Sequence, residues 1–178
     1  MERKKRWLPW RAARWERMLL TALATVLSGE IFFNFEIDTF RISGAVILFP
    51  VLLLTLMQDS RTPVTGVITG VCLLLVRSAI GVAGGGEDWL QALRLNCPAA
   101  VFYPCYDTLL CLLVRDRYQA LPSRLWWSFW VCDIVSNTVN FSLAKGGLPG
   151  EDILLSLTLI ALARALLAVL ILWGMKRY

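Results

Sequence analysis

The sequence contains no histidine. That absence removes His-based triads, His-ligated zinc and haem, and the commonest general base. Cysteine is sparse: Cys72, Cys97, Cys105, Cys111 and Cys132 form no CxxC pair, and their number is odd. They read as small buried apolar residues rather than a disulfide framework or a metal site, and no cofactor is expected. No GxxxxGK[ST] stretch is present, which disfavours nucleotide binding. Charge is also thin, with 17% of residues Asp, Glu, Lys or Arg. Strand-length alternation of apolar and polar residues does not persist, which argues against a β-barrel.

Apolar residues are plentiful. Of 178 residues, 57% are hydrophobic, against roughly 45–50% in ordinary soluble domains, and the mean hydropathy is +0.61. They fall in runs near 17–35, 42–57, 63–81, 98–114, 125–143 and 153–173. A bilayer core needs about 20 helical residues per crossing, so these runs consume nearly the whole chain. The expectation is an all-α, polytopic membrane protein of about six transmembrane helices, multi-pass in the cell membrane. The second run is short and holds Pro50, which points to a kink or tilt.

Residues 1–16 form a separate basic and Trp-rich stretch, leaving 17–178 as one membrane domain. Its Arg3, Lys4, Lys5, Arg6, Arg11 and Arg14 alternate with Trp7, Trp10 and Trp15. Juxtamembrane clusters of this kind face anionic lipid, so membrane lipids are the expected partner and nucleic acid is not. No small-x-small cleavage site follows, so the first helix is expected to be retained. The positive-inside rule then places both termini in the cytoplasm. Arg61, Arg115, Arg117, Arg124, Lys176 and Arg177 fall inside, while the outer loops carry only Arg41, Arg94 and Lys145 among bases and hold Glu36, Asp38, Glu87, Asp88, Glu151 and Asp152. Trp126, Trp127 and Trp130 cluster after Arg124 and read as an interfacial belt.

Charged groups inside apolar runs are the exceptions that carry information, because each costs roughly 2.5–3.5 kcal/mol at a helix centre. They are Glu30, Arg77, Asp107, Asp133 and Arg164. Asn137 and Asn140 follow Asp133 at helical spacing, so one stripe presents a carboxylate and two amides. Two readings stand side by side. In one, Asp133 neutralises Arg77 or Arg164 and the set only fixes helix packing. In the other, Arg77, Asp133, Asn137, Asn140 and Arg164 line a ligand pocket toward the outer face. Gly66 and Gly70 form a GxxxG in the third run, which permits close helix approach. The stretch GVAGGGEDWLQALRLN at 81–96 suggests a long outer loop with a hinge and a short surface helix, a conceivable lid.

The stretch FRISGAVILFPVLLLTLMQDSRTPVTGVITGVCLLLVRSAIG at Phe40–Gly81 resembles the second and third helices of a six-helix family. That family comprises the membrane sensor regions of Firmicutes-type histidine kinases. CPAAVFY at Cys97–Tyr103, CDIVSN at Cys132–Asn137 and ALARALLAVLI at Ala161–Ile171 extend the likeness. The layout is also similar to the substrate-binding S subunits of energy-coupling-factor transporters, which implies an S-component-like bundle with a pocket near the outer face. The sequence departs from both. It ends at Lys176, Arg177 and Tyr178 without a kinase module, and Ala24/Ser28 is only a loose version of the S subunits' AxxxA pair.

The expected function is therefore an integral-membrane module that recognises an unidentified small molecule, sensor-like, through a partner membrane or signalling protein. The alternative is the S subunit of a vitamin uptake transporter. A scaffold without any pocket is the third reading. Enzymatic activity is not expected, since Ser136 near Asp133 lacks the third group that a catalytic arrangement needs.

Overall fold

The computed structural model describes residues 13–29, 34–37, 40–57, 62–86, 88–114 and 121–177. Six helices carry the fold: α1 (Arg14–Leu27), α2 (Gly44–Leu56), α3 (Val64–Gly85), α4 (Trp89–Leu113), α5 (Pro122–Lys145) and α6 (Glu151–Arg177). A two-stranded antiparallel hairpin joins α1 to α2, β1 (Asn34–Ile37) with β2 (Phe40–Ser43), in the register Asn34↔Ser43 to Ile37↔Phe40. The basic stretch through residue 12, Glu30, Arg61, Glu87, Arg115 and Arg117 lie outside the described residues.

The helices close into a ring. Going round it, α1 packs on α2, α2 on α6, α6 on α5, α5 on α4, α4 on α3, and α3 back on α1. Chain neighbours α2 and α3 are thus separated by α1. Aromatic rings fill the middle of this ring. Phe49 of α2 meets Tyr103 and Tyr106 of α4 edge-on, with centroids 5.0 and 5.9 Å apart. Phe102 lies 5.2 Å from Tyr103. Such edge-to-face pairs add about 0.5–1.5 kcal/mol each beyond the area they bury.

Three expectations change at the element boundaries. The first helix ends near Leu27 rather than at residue 35, and the hairpin takes over part of that run. The expected lid is absent. Residues 81–85 continue α3, Trp89–Leu95 are the opening turns of α4, and only Gly86 to Asp88 connect them. Gly86 ends α3 at φ 67°, a left-handed C-terminal position that glycine adopts without Cβ strain. Pro98 lies well inside α4 instead of opening it. By length and composition α3 and α6 are each able to cross a membrane, and α2 is a shorter apolar helix of 13 residues.

The polarity of α1 is inverted relative to a water-soluble helix. Thr21, Ala22 and Thr25 face inward, fully buried, while Leu19, Leu20, Leu23 and Leu27 are exposed. On α3, Thr65 and Thr69 are buried, whereas Val64, Val67, Val71 and Leu75 are exposed. The outward face of α6 is likewise leucine, at Leu159, Leu166, Leu167 and Leu170.

The closest helix–helix contact is between α3 and α4. A Cβ added to Gly70 would lie 2.4 Å from the Ala100 carbonyl oxygen, and one on Gly66 would lie 2.5 Å from that of Tyr103. Pro104 explains part of this approach. It has no N–H to give the Ala100 carbonyl four residues earlier, and the bare Gly70 backbone draws up to that oxygen. Asp107 then closes the contact: Gly66 N–H donates to its Oδ2 at 2.9 Å. Gly66 stands in the first turn of α3, preceded by Pro63, which offers no side-chain cap. First-turn N–H groups lack intrahelical partners, so Asp107 supplies from α4 the anion that the N-terminus needs. Its charge is a structural cap at this end of the bundle rather than a mid-helix feature.

Gly70→Ala should therefore destabilise the protein by about 1–3 kcal/mol, since the backbone oxygen it meets cannot move aside cheaply. Gly84→Ala, with open space around the new methyl, serves as the control and should melt at or slightly above the wild-type midpoint. Intrinsic tryptophan fluorescence, from eight Trp residues, reads both.

Candidate functional site

Asp133 sits on the inward face of α5 and is 2% exposed. Its Oδ1 faces Arg164 of α6 at 3.5 Å. Asn137, one turn further on, donates from Nδ2 to that same Oδ1 and to the Asp133 backbone carbonyl at 2.9 Å. Trp130 Nε1–H donates to the Thr158 carbonyl at 3.1 Å and helps hold α5 against α6. Three of the five expected site residues, Asp133, Asn137 and Arg164, thus form one cluster across the α5–α6 interface. Asn140 lies one turn beyond Asn137, half-buried. Arg77 is half-buried on α3, a helix that packs chiefly on α1 and α4. Asp133 is therefore paired with Arg164, one of the two cations considered for it.

The ion pair is incomplete. At 3.5 Å it is longer than the 2.7–2.9 Å of a strong charge-assisted bond. Asp133 Oδ2 is buried without a hydrogen-bond partner, and so is the hydroxyl of Ser136, three residues along the same face. Ser78 of α3 is in the same condition. Sequence reasoning considered Ser136 only as a nucleophile and passed over Ser78. Nothing local marks either residue, because serine hydroxyls in helices ordinarily bond back to the carbonyl four residues earlier. Ser128 and Ser142, on the same helix as Ser136, do so at 2.8 Å.

These groups lie at a boundary in burial. From Asn137 to Ser142 every residue of α5 is half-exposed, and none is buried. No residue of 151–160 on α6 is buried, nor any of 79–86 after Ser78, and between 88 and 99 on α4 only Ala92 is. A helix packed against a filled interior buries a residue every three or four positions. Among the described residues the α3, α4, α5 and α6 walls are therefore loosely packed at the end that carries the α3–α4 and α5–α6 turns, the open end of the ring, while Ser28, Gly29, Gly44 and Ala45 on the α1–α2 side of that end are buried. Going inward from that end, the first fully buried residue is Ser78 on α3, Ser136 on α5 and Ala161 on α6, whereas Ala92 on α4 and Ala45 on α2 are buried close to the helix end itself. Asp133 and Arg164 stand directly below Ser136 and Ala161.

The opposite end is closed and aromatic. Trp126, Trp127 and Trp130 stack along α5 with centroids 4.9 and 5.0 Å apart, and Trp127 is half-exposed. There, too, Arg17 of α1 donates to the Leu56 carbonyl at the end of α2 (3.2 Å), and Arg14 reaches Thr62 (3.0 Å). Among the described residues no group of three or more Cys, Asp or Glu side chains is placed to hold a metal ion. The five cysteines are free thiols.

Comparison with known proteins adds one distant likeness. The chain is 26% identical to the sensor histidine kinase GlnK of Bacillus subtilis (strain 168) over 119 residues, 66% of this chain. That stretch covers 28% of the kinase. No protein-family model matches the chain, and no solved structure matches it. The likeness supports a sensor-like role at most.

Removing one partner of a buried ion pair leaves an uncompensated charge, at a cost of about 3–5 kcal/mol. Arg164→Leu alone should fall in that range. Arg164→Leu combined with Asp133→Leu should recover most of the loss, as measured by chemical unfolding of the single and double variants.

Proposed function

We propose that this chain is a six-span membrane module that recognises a small molecule at its open end and acts, sensor-like, through a partner protein. The observation that carries the proposal is the buried Asp133–Asn137–Arg164 cluster in a bundle whose outside is apolar. Exposed leucine and valine on α1, α3 and α6, with threonine turned inward, suit a lipid surround, where polar groups must find partners inside the protein. Helices too short to cross alone, such as α2 with 13 residues, are accommodated within the ring by tilt and by the helices around them.

Orientation follows from charge. Among the described residues Arg14, Arg17 and Arg124 with Glu16 lie at the closed end, and Asp88, Glu151 and Asp152 with Arg94 and Lys145 at the open end, a net excess of base at the first and of acid at the second. With basic residues retained in the cytoplasm, the open end faces outward and both termini lie inside, with the basic N-terminal stretch against anionic lipid. The role proposed for the Asp133–Asn137–Arg164 cluster is recognition rather than catalysis, a reading supported by the pairing of Asp133 with Arg164 instead of with a nucleophile. The sensor reading stands ahead of vitamin transport because the curated relative is a sensor kinase. The partner proposed is a membrane or cytoplasmic signalling protein.

Native mass spectrometry of the gently extracted protein provides the test. A discrete small-molecule adduct is expected on the wild-type chain and should be missing from Asp133→Asn. Lipid adducts alone, equal in both forms, would count against recognition and leave the Asp133 cluster as a packing element.

A further inference from the structure

Resting on the membrane reading, we propose that the β1–β2 hairpin forms the outer half of the ring wall on the α1–α2 side. Its apolar face is covered by acyl chains of the outer leaflet, and its polar face borders the open end.

Helix length comes first. α1 and α2 have 14 and 13 residues, whereas α3 to α6 have 22 to 27. The first three helices are tied together at the closed end. Arg17 of α1 donates to the Leu56 carbonyl that ends α2, and Arg14 reaches Thr62 just before α3. With a rise of 1.5 Å per residue, α1 stops roughly 12 Å short of the far end of α3. The aromatic contacts agree. Phe49 of α2 packs on Tyr103 of α4. Counted from Gly44 and Trp89, where the two helices begin, that pairing sets the start of α2 roughly 13 Å deeper than that of α4. A strand of four residues also reaches roughly 13 Å, so the hairpin has the length that α1 and α2 lack.

The register gives the ribbon two unlike faces. Successive residues of a strand alternate between faces, and residues directly opposite share one. Phe35 pairs with Ile42 and Ile37 with Phe40, so one face is wholly apolar. Asn34 pairs with Ser43 and Glu36 with Arg41, so the other is wholly polar and carries one charge of each sign.

Two observations decide which face turns outward. Ser43 is half-buried at the foot of β2, and a Cβ added to the buried Gly29, just past α1, would lie 3.1 Å from its Oγ. The polar face is therefore the one turned to the bundle. Across the ring, residues 79–86 of α3, 137–142 of α5 and 151–160 of α6 include none that is buried. An apolar ribbon face seated on them would bury several. Below the hairpin, the outer side of α1 is Leu19, Leu20, Leu23 and Leu27, and the apolar face continues a surface of that kind. Unpaired strand edges are not tolerated in bare hydrocarbon. Here α1 has α3 on its other side and α2 has α6, so a longer helix stands beside each edge of the ribbon.

Spin labels on single cysteines test the arrangement in liposomes, with the native cysteines replaced. Oxygen concentrates in hydrocarbon and a nickel chelate stays in water, so the ratio of the two accessibilities reports what surrounds each label. Asn34→Cys, Phe35→Cys, Glu36→Cys and Ile37→Cys are expected to alternate. The oxygen-to-nickel ratio should be several-fold higher at Phe35 and Ile37 than at Asn34 and Glu36. Arg41→Cys and Ile42→Cys, on the paired strand, should match Glu36 and Phe35, which guards against one variant that folds poorly. Leu166→Cys, exposed in the middle of α6, is the lipid reference. Uniform accessibility along the hairpin, or the opposite alternation, with Leu166 still open to oxygen, would overturn the hairpin's place in the wall. Nickel access at Leu166 would overturn the membrane reading itself, and this proposal with it. The adduct experiment decides the recognition reading separately.

Discussion

The rest of the bundle depends on the close approach of α3 to α4. Gly66 and Gly70 bring two backbones together, Pro104 leaves the Ala100 carbonyl free to meet one of them, and Asp107 binds the N-terminus of α3. These contacts set the antiparallel register of the two helices. With α4 so held, Tyr103 and Tyr106 project to Phe49 of α2 and fill the ring toward its closed half. The aromatic packing in the middle of the ring is thus a consequence of that register.

A second constraint is the handling of polar groups. Thr21, Thr55, Thr69, Thr108 and Thr158 turn their hydroxyls back to the carbonyl four residues earlier, the local solution available to a helix without water. Where a helix end cannot be satisfied locally, another helix supplies the group, as Asp107 does for α3 and Arg17 for α2. Against that economy, Asp133 Oδ2 and the hydroxyls of Thr25, Thr65, Ser78 and Ser136 are buried exceptions, spread along the bundle rather than gathered at one end.

The six helices were legible because apolar runs of spanning length need little besides counting. Their ends were less so. Gly84, Gly85 and Gly86 read as a hinge and Pro98 as a helix start, yet α4 begins at Trp89 and carries Pro98 and Pro104 in its interior. The missing hydrogen bond at a proline is tolerable when tertiary packing holds the flanking turns, and sequence alone does not show that packing. The hairpin was hidden by strands of only four residues each. At the site, the cost of burying charge pointed to Asp133 and Arg164, and helical spacing added Asn137. Asp107 was legible as an exception but not as a cap, because its partner lies 41 residues away. Ser78 and Ser136 became visible only through bonds that they do not make.

The central claim is that the open end of the ring faces outward across a membrane. Impermeant maleimide labelling of single-cysteine variants in sealed cells tests it most directly. Leu148, 81% exposed in the α5–α6 turn, and Ser123, exposed at the start of α5, mark the two ends. With the native cysteines replaced, the account predicts that Leu148→Cys is labelled from outside and Ser123→Cys only after permeabilisation. The reverse pattern, or equal labelling of both before permeabilisation, would contradict it.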